Sequence, residues 1–270
     1  SHEISCAALW GKVIKVLELF SGTECLSNAF RARGHQCFTV DWDEKFPSSL
    51  HIDIGELTAD MILEKFGVPD VVWIAPDCRT FSLAAISKHR VKNADTGNLD
   101  PISDYAKKCD KVDQHVLSVL EELRKINPRL LFFIENPRAC LQKMTWMQPY
   151  EKYKYLITYC KYSTDLPLEE RRMKPTNIWC NHPNPRFKPP CKNGDSCHVK
   201  SPRGSKTGTQ GMKNAEERST YPNQLIQHIV DISEEYMCEK NLYDKCKSCE
   251  NKWSSFECDV CENFDMHKEI

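Results

Sequence analysis

The sequence lacks any apolar run long enough to span a bilayer, and no signal-like segment opens it. These absences predict a soluble, cytoplasmic protein with no membrane partner. It also lacks net charge of either sign. Lys and Arg number 37, Asp and Glu 38, for a formal balance of −1. No global field draws such a chain to a polyanion, so contact with nucleic acid must come from local patches. One patch runs from Arg186 to Lys213, where Lys188, Lys192, Lys200, Arg203 and Lys206 face Asp195 as the sole acid. Internal repeats and low-complexity tracts are missing too, which excludes solenoids and arrays. What remains is 270 residues, 40% hydrophobic and 28% charged, enough for one sizeable α/β domain with an appendage.

Cysteine is abundant, with fifteen residues of two kinds. Cys6, Cys25, Cys37, Cys78, Cys109, Cys140 and Cys160 stand singly, whereas the other eight crowd the last third. Scattered thiols with paired CxxC units suit a reducing compartment with metal sites better than a disulfide scaffold. Cys246-x2-Cys249 and Cys258-x2-Cys261 supply four thiolates for a tetrahedral structural zinc. The tail that carries them is too poor in apolar residues to pack without a metal; a disulfide-linked or disordered tail is the alternative. Cys180, His182, Cys191, Cys197 and His198 form a looser group, four of which could hold a second zinc.

Strands and helices alternate through the first two thirds. Apolar runs at 13–20, 36–40, 71–75 and 129–134 read as buried strands, and 153–161 and 177–180 as further strands. Helical spacing covers 23–33, 57–66, 103–126 with Ser103 as N-cap, and 222–235 with Pro222 in the first turn. This order predicts a mostly parallel, doubly wound sheet, whose ligands bind beyond the carboxyl ends of its strands. The predicted layout is a catalytic core over 1–180, a small irregular basic region over 181–215, a returning helix over 216–237 and a Cys-rich tail over 238–270.

The strand ends carry the chemistry. Leu17-Glu18-Leu19-Phe20-Ser21-Gly22-Thr23 is a strand running into a turn, where Gly22 lets backbone approach a ligand. Asp41-Trp42-Asp43 ends the second strand, and Asp53 follows the next. Pro76-Asp77-Cys78-Arg79-Thr80-Phe81-Ser82 places a thiol at a strand end; Asp77 opposes thiolate formation there and Arg79 offsets it. Glu135-Asn136-Pro137 ends an apolar strand that favours a buried carboxyl. Arg172-Met173-Lys174 precedes the last strand.

Together, over roughly residues 13–235, these segments resemble the DNA cytosine-C5 methyltransferase family, whose motifs read L-F-[SA]-G, P-P-C-Q-x-F-S, E-N-V and Q-x-R-x-R. The departures are Asp77 for Pro, Arg79 for Gln, Pro137 for Val, Glu170 for Gln and Lys174 for Arg. The family's final G-N-[AS]-V turn is not visible, and Ser219-Thr220-Tyr221-Pro222 stands in its place. The resemblance implies a Rossmann-like S-adenosylmethionine methyltransferase fold. It implies cofactor contacts from Phe20, Ser21, Gly22, Thr23, Asp41, Trp42, Asp53 and Pro76. Cys78 becomes the nucleophile toward carbon 6 of cytosine, Glu135 the acid at N3 and N4, and Arg172 a support of the base pocket, with Lys174 reaching a phosphate. Lys88, His89, Arg90 and Lys92 fall where the family has a mobile loop, contacting phosphates or solvent.

The expected substrate is DNA, single- or double-stranded, bound by a monomer in a bacterial or bacteriophage-infected cell. The region over 181–215 is small for reading several bases in a groove. Two alternatives stay open: a pyrimidine in RNA or a free nucleotide as substrate, and a non-catalytic DNA-binding protein that keeps the fold.

Overall fold

The computed structural model describes residues 12–200 and 220–248, with side chains as far as residue 239. A seven-stranded sheet forms its centre. The strands are β1 (Lys15–Leu19), β2 (Gln36–Asp41), β3 (Leu50–His51), β4 (Val71–Ile74), β7 (Leu131–Pro137), β8 (Lys154–Thr158) and β9 (Pro175–Cys180). Their order across the sheet is β3-β2-β1-β4-β7-β9-β8. The first five in that order run parallel, whereas β9 is antiparallel to both β7 and β8. A separate ribbon of β5 (Arg90–Lys92) and β6 (Leu99–Pro101) follows β4. The expected α/β, Rossmann-like, mostly parallel doubly wound sheet is therefore present.

The apolar runs that marked the strands are continuous because both sheet faces are covered. Alternate residues serve opposite faces. Leu17, Leu19, Val72, Ile74, Phe132 and Ile134 enter one core with Ile62, Val116 and Leu120. Val16, Val71, Trp73, Leu131 and Phe133 enter the other with Leu26, Phe30, Ile226, Ile229 and Val230. Helices α2 (Ala59–Lys65) and α4 (Asp104–Ile126) thus cover the first face, and α1 (Cys25–Ala32) and α5 (Asn223–Ser248) the second. The short α3 (Ile86–His89) lies between β4 and β5. Among the described residues no helix is long and apolar enough to cross a membrane.

Local chemistry fixes the helix limits. Ser103 caps α4 by accepting from the Ala106 amide at 3.1 Å, Asp104 sits in the first turn, and Arg124 and Lys125 complement the last. Thr58 caps α2 through the Met61 amide. Helix α5 starts at Asn223, one residue after Pro222, but runs on to Ser248 rather than stopping near 237. The expected boundary at 238 therefore falls inside a helix, and Cys246 lies on its last turn. Cys249, Cys258 and Cys261 lie outside the described residues, as does the basic patch beyond Lys200.

Candidate active site at the carboxyl edge of the sheet

Register brings the sequence motifs to one edge. Leu19 pairs with Val40 and Ile74, and Ile74 pairs with Ile134, so the residues just beyond each pair emerge side by side. Backbone bonds carry the alignment past the strands, from Ser21 N to Val40 O and from Ala75 N to Leu19 O.

The turn after β1 holds three left-handed residues in five, with φ of 59° at Phe20, 48° at Gly22 and 55° at Glu24. Only glycine adopts that region freely, so Phe20 and Glu24 store backbone strain. Glu24 is held by hydrogen bonds from Arg31 and from the Thr39 hydroxyl. Asp41 shapes the same turn, its carboxylate accepting from Gly22 N at 2.8 Å and from Asp43 N at 2.9 Å. Ser21 Oγ meets Ser48 Oγ at 3.2 Å, and Thr23 stays exposed. Trp42 is 63% exposed, far above what a large aromatic normally keeps, so its ring offers an open face beside Asp41. Asp53 caps a short 3-10 turn through Gly55 N and pairs with Lys108 at 2.7 Å; that pairing holds its carboxyl below the usual range. Acids, an open aromatic face and a strained glycine turn on one edge fit a nucleoside-bearing cofactor such as S-adenosylmethionine.

Beyond β4, Cys78 is half-buried. Burial raises its thiol pKa, with a further push from Glu135, and Lys174 acts in the opposite direction. Asp77 adds a smaller upward push on the thiol, although its carboxylate is engaged elsewhere. Its carboxylate accepts from the Arg79 amide and guanidinium and from the Tyr105 hydroxyl, while Arg79 stacks over the Tyr105 ring at 5.0 Å. Burial opposes ionisation of Asp77, but those bonds outweigh it and hold the carboxyl below its ordinary value. The Asp77 and Arg79 departures are thus a mutually neutralised pair.

Glu135, at the end of β7, is buried at 5% exposure on the face occupied by α5. It accepts from Tyr159 at 3.2 Å and from Tyr221 at 3.5 Å. Burial raises its pKa from the ordinary value, while Lys174 and the two phenols act in the opposite sense. Lys174 is itself buried, with its ammonium 4.7 Å from the Tyr159 ring centre. Asn136 donates from Nδ2 to the Pro76 carbonyl at 3.0 Å, tying the strand end that bears Glu135 to the one that bears Cys78.

Several of these groups were not legible beforehand. Lys174, expected at a phosphate, is the cation set against Glu135 and Cys78. Arg172, expected in the base pocket, is half-buried and donates to the Glu169 carbonyl at 3.4 Å. Tyr159 and Tyr221 gave no signal beyond their positions near strand and helix ends. Arg90, expected at phosphate or in solvent, is buried at 3% exposure and pairs with Asp110 at 2.5 Å while donating to Thr80. It pins the segment after Cys78 to α4.

The looser Cys/His group is also redrawn. Cys180 and His182 belong to the apolar packing at the end of β9: Cys180 is 1% exposed and accepts from the His182 amide, and the His182 ring lies against Tyr236. Cys160, which looked like a lone thiol, takes their place beside Cys191, Cys197 and His198.

No family model matches the chain. A protein of Frog virus 3 (isolate Goorha) named "Probable DNA (cytosine-5)-methyltransferase" is 28% identical over 244 residues, 81% of this chain and all of that protein. This similarity extends the resemblance from the motifs to most of the chain. Its viral source gives a bacterial or bacteriophage setting no support. The crystal structure of the S. pombe Dnmt2 methyltransferase is similar at a TM-score of 0.41 and 15% identity, over 62% of this chain and 49% of that one.

Proposed function

We propose that this chain transfers a methyl group from S-adenosylmethionine to carbon 5 of cytosine in DNA, through a covalent adduct of Cys78 at carbon 6. The observation that carries the reading is the coupling of Cys78 to a buried Glu135 on the neighbouring strand end, with Asn136 locking the two ends together. The similarity to the viral relative supports the same reading.

Phe20, Ser21, Gly22, Thr23, Asp41, Trp42, Asp53 and Pro76 are the residues that would hold the cofactor. When bound, S-adenosylmethionine supplies an electrophilic methyl group. The chain's own residues activate the base. Glu135, whose burial favours the neutral form, donates its proton to N3 of cytosine and makes carbon 6 electrophilic. The Cys78 thiolate adds there, its sulfur–carbon bond forming as the ring electrons move toward carbon 5. Lys174 favours ionisation of Cys78 through its charge. After carbon 5 has gained its methyl, a water takes the carbon-5 proton, the sulfur–carbon bond breaks with Cys78 leaving as thiolate, and Glu135 takes back the N3 proton as the ring is restored. Arg172 is retained as a supporting residue of the pocket wall.

The test is denaturing gel mobility after incubation with S-adenosylmethionine and 5-fluorocytosine DNA, single- and double-stranded, with 5-fluorocytosine RNA in parallel. Fluorine blocks the final elimination, so an attacking Cys78 stays bonded. A shifted band with DNA that vanishes in Cys78→Ala is the expected result. A shift with RNA alone would move the substrate to RNA. No shift, with no cofactor binding by calorimetry, would make the chain a binding protein.

A further inference from the structure

Cys160, Cys191, Cys197 and His198 bring four metal-donor atoms within 4.8 Å of one another. Cys160 Sγ lies 3.1 Å from Cys191 Sγ and 3.6 Å from Cys197 Sγ. His198 Nδ1 lies 3.8 Å from Cys191 Sγ and 3.5 Å from Cys197 Sγ. Zinc bonds of about 2.3 Å to sulfur and 2.0 Å to nitrogen place tetrahedral ligands about 3.8 Å apart for two sulfurs and about 3.5 Å for sulfur and nitrogen. The two sulfur–sulfur separations fall somewhat below their edge and the two sulfur–nitrogen separations lie at or above theirs, so small shifts would seat the ion; a disulfide would need about 2.05 Å.

Burial makes a second, independent case. Over residues 191–200 the chain is exposed at every position except Cys191 and His198, which are buried, and Cys197, which is half-buried. Only the donor residues turn inward. A stretch with no apolar side chain facing the sheet has little else to fasten it there. Among the described residues it is also held by a bond from Cys191 N to the Thr158 hydroxyl at 3.0 Å and by the packing of Cys191 and Cys197 against Met173. The fourth donor comes from elsewhere: Cys160 is fully buried on the 3-10 turn Tyr159–Tyr162 that follows β8.

We infer that Cys160, Cys191, Cys197 and His198 bind one structural zinc ion that clamps the irregular segment to the antiparallel edge of the sheet. The donor set is three thiolates and one imidazole, with no position left open, which suits a structural site and not a catalytic one. With Nδ1 as ligand, His198 Nε2 carries the proton, and its long 3.5 Å approach to the Gly194 amide opens. The clamp sets Cys191, Lys192 and Asn193 as one wall of a 370 Å³ cavity whose other lining includes Arg138, Thr158 and Met173. The site does not depend on the reaction assigned above.

The test uses the full-length chain with Cys246, Cys249, Cys258 and Cys261 replaced by Ser, so that tail thiols contribute no metal. Zinc is measured by mass spectrometry of the metal after gel filtration. Cobalt is then substituted and the near-ultraviolet thiolate-to-cobalt band recorded. The expected result is roughly one zinc per chain and an intense cobalt band, with both reduced at least ~tenfold in Cys160→Ser and in His198→Ala. A folded parent that purifies metal-free and takes up no cobalt would overturn the assignment. So would unchanged metal content in both variants, or a Cys160–Cys191 disulfide peptide in the native digest. The parent's metal content and cobalt spectrum decide the matter even where a variant does not fold.

Discussion

The two halves of the sheet are built by different means. From β3 to β4 the strands run parallel, and alternating apolar residues bury against helices on both faces. From β7 to β8 the ladder turns antiparallel, and buried polar groups take over: Glu135, Lys174, Asn136, and the thiols of Cys160 and Cys191. The first half gains its stability from area removed from water, which many sequences can supply. The second half depends on particular partners, because a buried polar group left unmatched costs more than its bond contributed. Cys78 and Glu135 sit on the seam.

The largest expected effect is on that seam. Cys78→Ala should lower methyl transfer by roughly three orders of magnitude or more while leaving thermal unfolding within about 1 kcal/mol of the parent, measured by tritium transfer and urea melts. Retained transfer would remove Cys78 from the chemistry. Next is Arg90→Ala. It strands Asp110 beside Asp113, whose carboxyl already sits well above its ordinary range through burial and the neighbouring Asp110. A loss of about 3–5 kcal/mol in urea unfolding is expected, whereas a loss below about 1 kcal/mol would make the pair a surface-like one.

A third test asks whether the parallel half is as apolar as its pattern suggests. Glu18 breaks it, being buried under α1 with its carboxylate accepting from Ser27 N and Oγ. Burial lifts its pKa from 4.5 to about 7. An unfolded chain releases this proton near 4.5 and the folded chain only near 7. Stability from this group is therefore complete below about pH 4.5 and falls as pH rises through 7, by up to about 3 kcal/mol. Glu18→Gln should flatten that fall in melts between pH 5 and pH 8, and an unchanged slope would place the effect elsewhere. The smallest effect is Trp42→Ala. Its exposed ring contributes little to folding, so stability should hold while S-adenosylmethionine affinity drops roughly three- to tenfold by calorimetry.

The same division decides what could be read from the sequence. Strand positions in the parallel half were legible because two-sided burial writes unbroken apolar runs, and Gly34 and Gly67 punctuated the ends of helical stretches. The placement of Cys78 and Glu135 at neighbouring strand ends was legible because each lies at the end of such a run. The partners of Glu135 were not, since Tyr159 and Tyr221 come from distant segments and no local periodicity announces a phenol aimed at a carboxylate. Cys160 escaped for the same reason: its companions are Cys191, Cys197 and His198, while spacing had grouped those three with Cys180 and His182. The overlong α5 was missed because residues 238–248 read as a polar, cysteine-bearing tail and show little apolar stripe.

Tyr221 stands at the entrance to α5, eighty-six residues beyond the Glu135 it touches. A chain emerging from the ribosome can complete every strand of the sheet by Cys180 while this phenol and its helix are still unmade. Until then the wall around Glu135 stays open to water, and the carboxyl keeps a lower proton affinity than the finished protein gives it. The surroundings of Glu135 are thus completed late in synthesis, with the segment that also packs Arg33 and His35 against Glu234. Folding order makes the burial of this carboxyl a property of the nearly whole molecule, one that no earlier length of chain possesses.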